Sequence, residues 1–207
     1  MRNNYKMDKK SYAFGMSVAS SLFQQGIHGL ELEDFVAGLK AMMTGEKPAL
    51  SMEEAGDALE QFYKELEEEA SERAAAAGAA AKSEGEKFLA AAARDPEVKM
   101  TRSGLMYKVL KEGTGRKPRA TDQVKCHYEG TFPNGQVFDS SYKRGEPAVF
   151  GLNQVIKGWT EGLQLMAEGA KYELYLPYNL AYGEQGAGGA IPPYSALKFV
   201  VELLEVL

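Results

Sequence analysis

Apolar positions in the first fifty residues recur every three or four. Between Ser11 and about Gln25, Tyr12, Met16, Ala19 and Phe23 share that spacing, with Phe14, Val18 and Leu22 between them. This predicts an amphipathic helix ended by Gly26 and Gly29. Leu32, Phe35, Val36, Leu39, Met42 and Met43 repeat the pattern until Gly45 and Pro48 stop it. Ser51 followed by Glu54 has capping-box spacing and predicts a third helix start. No proline then interrupts the chain until Pro96, which disfavours helical geometry at Asp95. Such a stretch, about 44 residues, would reach roughly 65 Å if helical throughout.

Within that stretch the apolar stripe does not last. Ala55, Leu59, Phe62, Tyr63 and Leu66 form it, and then Glu67, Glu68, Glu69 and the alanine-rich run Ala74–Ala81 replace it. The propensity for helix stays high while little remains to pack. A solvated helical spacer is the expectation, with Gly78 and Gly85 as bend points that each cost about 1 kcal/mol relative to alanine.

Beyond Pro96 the period changes to two. Leu105–Tyr107–Val109, Val124–Cys126–Tyr128, Tyr172–Leu174–Leu176 and Leu197–Phe199–Val201–Leu203 read as strands. Pro133-Asn134-Gly135, Lys143-Arg144-Gly145 and Gly186-Ala187-Gly188-Gly189 read as turns. One segment, Gln154 to Met166, reads as helix, with Val155, Ile156, Trp159, Leu163 and Met166 on a shared face. The fold class is therefore α+β: an antiparallel sheet with a short helix against it, preceded by an all-α part. The expected divisions are a helical domain over 1–70, a linker helix over 51–95 that overlaps its end, and a sheet domain over 96–207.

Composition sharpens the split. The first 95 residues carry a net charge of −6 and the last 112 a net of +1, within a chain of 207 residues and net charge −5. That balance argues against a general nucleic-acid binder. His28, His127 and Cys126 are the whole histidine and cysteine complement. Three such residues cannot make a four-ligand Cys/His zinc cage, and one cysteine cannot make a disulfide framework. No metal or cofactor is expected. His127 alternates with Tyr128 and is assigned to the solvent side of its strand, Cys126 to the buried side, and His28 to a solvated turn.

The two short helices and the start of the third bury little within one chain, and roughly 55 residues make a marginal core. Exposed Phe14, Phe23, Met42 and Met43 then form an apolar patch of the kind that marks an interface. A homodimer through residues 1–70 is the expectation, the other reading being a helical cap docked on the C-terminal domain. Lys6, Lys9 and Lys10 ahead of Tyr12–Phe23 have the order of a signal peptide. Gly15, Ser17, Ser20 and Ser21 break the run, so its periodicity is that of an amphipathic helix. No stretch approaches the ~20 apolar residues of a membrane span. With one unpaired cysteine, a reducing, cytoplasmic location is expected.

Aromatic residues are the C-terminal part's main resource: Tyr128, Phe138, Phe150, Trp159, Tyr182 and Phe199 fit either a core or a ligand pocket. The motifs that hold them are His127-Tyr128-Glu129-Gly130, Gly135-Gln136-Val137-Phe138-Asp139-Ser140-Ser141, Gln154-Val155-Ile156-Lys157-Gly158-Trp159, Leu180-Ala181-Tyr182-Gly183, Ile191-Pro192-Pro193 and Leu197-Lys198-Phe199. In this order, over about residues 100–207, they resemble the FKBP family of peptidyl-prolyl cis-trans isomerases. The layout of the N-terminal part is similar to the dimerisation domain and linker helix of the bacterial two-domain members, the macrophage infectivity potentiator type and its cytoplasmic relatives.

The resemblance implies a bent sheet of five or six strands wrapped around a short helix, with an apolar groove between them. It assigns Asp139, Tyr182, Tyr128 and Phe138 to catalysis, and Phe150, Val155, Ile156, Trp159, Ile191, Phe199 and Arg144 to substrate binding. Trp159 would floor the groove under the proline ring. Tyr182 and the Ile156 amide would bond substrate carbonyls, and Asp139 would sit at the twisting imide. A structural role for Asp139, bonded to tyrosine and arginine, stands beside that one. The implied substrates are proline-containing unfolded or nascent polypeptides, with macrolides as groove inhibitors. Ala148 stands where eukaryotic members carry a second phenylalanine, and Ala187 and Ala190 are small residues on a loop that often carries larger ones. These differences open the rim rather than the floor, and bear on macrolide affinity more than on isomerisation. The alternative function is a chaperone or partner-binding module in which isomerisation is secondary.

Overall fold

A computed structural model of the chain describes residues 7–207. The chain divides into two units, one running through Ser71 and one from Glu72 to Leu207. Helix α1 spans Lys9–Gln24 and starts on Asp8, whose carboxylate accepts the Ser11 N–H at 3.0 Å and the Ser11 hydroxyl at 2.6 Å. That cap had no counterpart in the apolar pattern. Helix α2 spans Leu32–Thr44 and ends on Gly45 at φ +74°, a left-handed geometry that glycine adopts without steric penalty. Lys6 and the rest of the first six residues lie outside the described residues.

The first unit keeps its apolar side chains largely in solvent. Neither α1 nor α2 contains a buried residue. Phe14 is 74% exposed and Met43 84%. The two helices instead line an open groove of about 870 Å³, with Phe14, Val18, Leu22, Phe35, Leu39 and Met43 on its walls. His28 is exposed and stacks on Phe23 at 5.4 Å.

Helix α3 runs from Met52 to Ala92 and contributes to both units. Its start is the reciprocal capping box: the Glu54 carboxylate accepts the Ser51 N–H at 2.8 Å, and the Ser51 hydroxyl accepts the Glu54 N–H at 3.2 Å. Its second half corrects the expectation of a solvated spacer with bend points. Gly78 and Gly85 are the two buried residues of the helix, and the helix is continuous through both. A Cβ at Gly85 would stand 2.8 Å from the Ala196 Cβ, and one at Gly78 would stand 3.2 Å from both Pro193 and Tyr194. Phe88 meets Tyr175 at 5.8 Å. The glycines are close-packing points of the helix on the domain that follows it, not hinges.

The second unit is built on an antiparallel sheet of seven strands among the described residues: β1 (Val98–Met100), β2 (Met106–Lys111), β3 (Gln123–Thr131), β4 (Val137–Ser140), β5 (Ala148–Gly151), β6 (Lys171–Leu176) and β7 (Leu197–Val206). Their order is β1-β2-β6-β7-β3-β4. One flank of β3 pairs with β7, and the other is shared by β5 over Gln123–Cys126 and β4 over Glu129–Thr131. That divided edge, with the short β1, raises the strand number above the five or six implied by the resemblance. In β3, Val124, Cys126 and Tyr128 are buried while Lys125, His127 and Glu129 are only partly so, as the alternation requires. Cys126 is fully buried, and burial pushes its thiol up to about 12.

Between β5 and β6 the chain forms helix α5 (Lys157–Leu165), which buries Gly158, Trp159, Gly162 and Leu163. The core around it contains Leu105, Leu152, Leu174, Leu176, Leu197 and Leu203, all at 0% exposure. Each such leucine contributes about 2 kcal/mol of transfer free energy.

Substituting the two kinds of α3 glycine should shift stability in opposite directions. Gly85→Ala should destabilise by about 1–2 kcal/mol, because the methyl meets Ala196 and its backbone. Gly56→Ala, at a position with open space, should stabilise by up to ~1 kcal/mol through helix propensity. Urea unfolding of the two variants checks both signs.

Candidate active site

The indole of Trp159 is held where it is by missing side chains. A Cβ at Gly162 would come within 2.8 Å of Leu174 Cδ1, and one at Gly158 would overlap Leu176, so both positions let α5 settle onto β6. The Thr160 hydroxyl donates to the Leu152 carbonyl at 2.6 Å and fixes the same helix to the end of β5. In that position Trp159 is enclosed by three rings, each edge-to-face: Tyr128 at 5.2 Å, Phe150 at 5.4 Å and Phe199 at 5.3 Å. Such pairs contribute about 0.5–1.5 kcal/mol each beyond area burial. Trp159 is 4% exposed, and its Nε1–H is buried with no partner among the described residues.

A second aromatic step extends this floor. Phe138 on β4 stands perpendicular to Phe199 at 5.6 Å and leans on Phe132 at 5.0 Å. Gly130 makes the step possible, since a Cβ there would lie 2.5 Å from Phe138 Cζ and 2.8 Å from Phe199 Cε1.

One polar assembly rims the aromatic floor. The Tyr128 hydroxyl donates to Asp139 Oδ2 at 2.5 Å, and Arg144 Nη2 donates to the same hydroxyl oxygen at 2.8 Å. Arg144 Nη1 donates to Asp139 Oδ1, closing a three-residue ring. The guanidinium also lies over the Tyr128 ring, 5.5 Å from its centroid. Helix α4 (Ser141–Arg144) makes this closure: Ser140 caps it by accepting the Lys143 N–H at 3.3 Å, and one turn later Arg144 faces back toward Asp139. Gly145 then ends the turn at φ +79°.

Electrostatics within the ring are one-sided. Partial burial works to raise the Asp139 carboxyl, but the hydrogen bonds from Tyr128 and Arg144 and the arginine's charge outweigh it and hold the group below 3.8. Burial raises the Tyr128 phenol, and its bond to Asp139 raises it further. Tyr182 is raised by burial first and by the charge of Asp139 second. Asp139 is therefore a fixed anion at neutral pH, with both oxygens already engaged.

The structure brings most of the sequence-derived residues together. Tyr128, Trp159, Ile191 and Phe199 belong to one buried apolar cluster, with Phe138, Phe150, Val155 and Ile156 packed against it. Asp139 and Arg144 join it through Tyr128. Ile156 is the residue before α5, and its N–H donates to no protein acceptor among the described residues. Tyr182 stands apart: it follows the 3-10 turn Tyr178–Leu180, is 39% exposed, and bonds to none of the ring's members among the described residues.

Three contributors carried no signal in the apolar pattern. Phe132 and Gly130 set the Phe138 step. Ser141, fully buried, accepts the Tyr128 N–H at 2.7 Å and donates to the Tyr128 carbonyl at 3.2 Å, which pins the strand behind the phenol. His127 needs a correction: it does lie on the opposite strand face, but it is half-buried rather than free. It stacks on Tyr142 at 4.7 Å, with Nδ1 3.0 Å from the Ser141 hydroxyl. No group of acidic, histidine or cysteine side chains among the described residues has a metal-binding arrangement.

Likeness to known proteins runs along almost the whole chain. Residues 114–204 match the FKBP-type peptidyl-prolyl cis-trans isomerase family, and residues 7–109 match the domain amino terminal to such isomerases. The FKBP-type 22 kDa peptidyl-prolyl cis-trans isomerase of Escherichia coli is 44% identical over 197 residues, covering 95% of this chain and 94% of that protein. The chain belongs to the FKBP-type peptidyl-prolyl cis-trans isomerases. The peptidyl-prolyl cis-trans isomerase Mip of Coxiella burnetii is 40% identical, over 97% of this chain and 87% of its own. Among solved structures, FkpA from Escherichia coli matches with a TM-score of 0.78 at 36% identity, covering 100% of this chain and 98% of that one. The enzyme is thus an FKBP-type isomerase in which a helical region precedes the antiparallel sheet and its short helix.

The lowered Asp139 carboxyl fixes a pH dependence for this isomerase. A carboxyl depressed on folding stabilises the fold fully above the unfolded value and loses that contribution as pH falls through the folded one. Comparing urea midpoints of wild type and Asp139→Asn across pH should show a constant gap down to about 3.8, narrowing only in stronger acid.

Proposed function

We propose that this isomerase accelerates X–Pro rotation by desolvation and twist over the Trp159 floor, without a covalent step. The supporting observation is an aromatic, uncharged floor rimmed by one fixed carboxylate. Rotation about the planar amide faces a barrier of about 18–20 kcal/mol, because the twisted state loses resonance. It also loses much of the amide's charge separation. A dry apolar surface therefore favours the twisted state over the planar one, which is differential binding of the transition state.

In this reading the proline ring rests on Trp159, walled by Phe150, Val155, Ile191 and Phe199. The unbonded Ile156 N–H and the Tyr182 hydroxyl hold substrate carbonyls on either side of the rotating bond. Asp139 acts as an oriented charge near the imide, kept in place by Tyr128 and Arg144; with its carboxyl held low, it is not a proton donor. Phe138 closes the groove beside Phe199. A macrolide would compete for the same floor, with the open rim at Ala148, Ala187 and Ala190 reducing what it can touch.

The substrates we infer are proline-containing unfolded or nascent chains. We infer also that residues 1–70 form a homodimer, in which a second copy covers the groove lined by Phe14, Leu22 and Met43. The exposure of those side chains favours a second activity, capture of unfolded chains on apolar surface. The compartment we propose is the cytoplasm, a reducing environment that suits the lone unpaired Cys126. Fractionation of cells carrying the tagged full-length chain decides the compartment, and recovery with the periplasmic fraction overturns it.

Two measurements test the rest. Tyr182→Ala should lower kcat/KM for an X–Pro peptide about tenfold, the value of one lost hydrogen bond to substrate, Asp139→Ala should lower it by about the same factor through loss of the oriented charge, and both should leave aggregation suppression unchanged. Wild-type protein without activity on several X–Pro peptides overturns the mechanism. Light scattering at micromolar concentration should return twice the chain mass of 22.6 kDa; a monomer overturns the dimer.

A further inference from the structure

The loop from Gly183 to Tyr194 connects two groove residues, Tyr182 just ahead of it and Ile191 within it. Its ends are tied together. The Tyr194 N–H donates to the Gly183 carbonyl at 3.0 Å, and the Gly183 N–H donates to the Tyr178 carbonyl at 2.8 Å. Inside the loop, Ala187 and Ile191 exchange two backbone bonds, at 2.9 and 3.0 Å. Tyr194 holds its end at φ +58°, and among the described residues it is the one non-glycine residue with positive φ. A bulky side chain persists in that region only when its surroundings hold it there.

Those surroundings come from α3. The Tyr194 ring lies against Gly78, where a Cβ would come 3.2 Å from Tyr194 Cδ2. The ring meets Tyr178 edge-on at 5.2 Å, and the Lys82 ammonium sits 5.7 Å from the Tyr194 ring and 6.0 Å from the Tyr178 ring. One face of α3 thus touches both ends of the tie: the turn that leads into Tyr182 and the residue that closes the loop after Ile191.

We propose that Tyr194, gripped by Gly78 and Lys82 of α3, is a positioning residue for the isomerase. It locks the base of the 183–194 loop and so fixes Tyr182 and Ile191 toward the substrate. Trp159 is held by other rings, so the latch governs how firmly the peptide is held rather than the turnover of bound peptide. Its loss raises KM and spares kcat. The proposal rests on the reading of Tyr182 and Ile191 as groove residues.

The test measures kcat and KM on an X–Pro peptide with the full-length chain, together with hydrogen exchange at the Tyr194 amide. Tyr194→Gly removes the ring while keeping a residue that adopts positive φ freely, so backbone strain does not confound it. KM should rise about tenfold, the worth of an edge-on aromatic contact. Lys82→Ala alters an exposed side chain and leaves the fold intact; KM should rise about threefold, and the Tyr194 amide should exchange faster. Tyr194→Phe should restore wild-type values, because the ring and not its hydroxyl is gripped. Tyr182→Ala is the control. If it leaves KM and kcat unchanged, the groove reading fails and takes the latch with it. If it weakens catalysis while Tyr194→Gly and Lys82→Ala leave KM and exchange at wild-type values, the latch alone is wrong.

Discussion

Helix α5 lies on the sheet at a distance that leaves no room for a β-carbon at positions 158 and 162. The aromatic cluster depends on that approach. It lowers Trp159 into a box whose sides are a tyrosine from β3, a phenylalanine from β5 and a phenylalanine from β7, three strands that pair through β3. A helix one methyl group further out would lift the indole off all three rings at once. The glycines cost helix propensity, about 1 kcal/mol each, which the edge-to-face contacts offset. Packing of this kind has few alternative arrangements, because interiors are dense and resist repacking.

The charged part of the site follows a different rule. The Asp139 and Arg144 side chains are 41% and 47% exposed, so their ion pair is screened and adds little to stability by itself. Its value is geometric. The planar guanidinium spans the carboxylate and the phenol together and lies over the tyrosine ring, which leaves the carboxylate one orientation. A lysine at 144 would keep the charge and lose that planar bridge.

Legibility in the sequence tracked hydrophobicity. Strands β3, β6 and β7 and helices α1 and α2 stood out because large apolar side chains recur along one face of each at the proper period. The second half of α3 did not. Its packing face is Gly78, Ala81, Gly85 and Phe88, spaced by three and four as a helix requires, but three of the four carry almost no side chain. A hydrophobicity pattern sees a gap where the backbone itself makes the contact. The site divided along the same line. Its aromatic floor was visible in the linked motifs; Gly130 and Ser141 stood in those motifs without a role, and Phe132 stood outside them, because a glycine, a serine and a residue before a turn do not announce what they pack against. Arg144 was named from the resemblance, but its place beside Asp139 depends on a one-turn helix too short to leave a periodic trace.

Cys126 gives the molecule a built-in clock. The lone thiol sits at 0% exposure in the middle of β3, between β5 and β7, and its burial suppresses the reactive thiolate. A thiol reagent can reach it only when the core packed on that face of β3 opens, so the labelling rate reports opening of the core and not motion of the rim. The same seclusion leaves the surface without a competing thiol, and a cysteine introduced anywhere on the exterior would be the sole fast-reacting one.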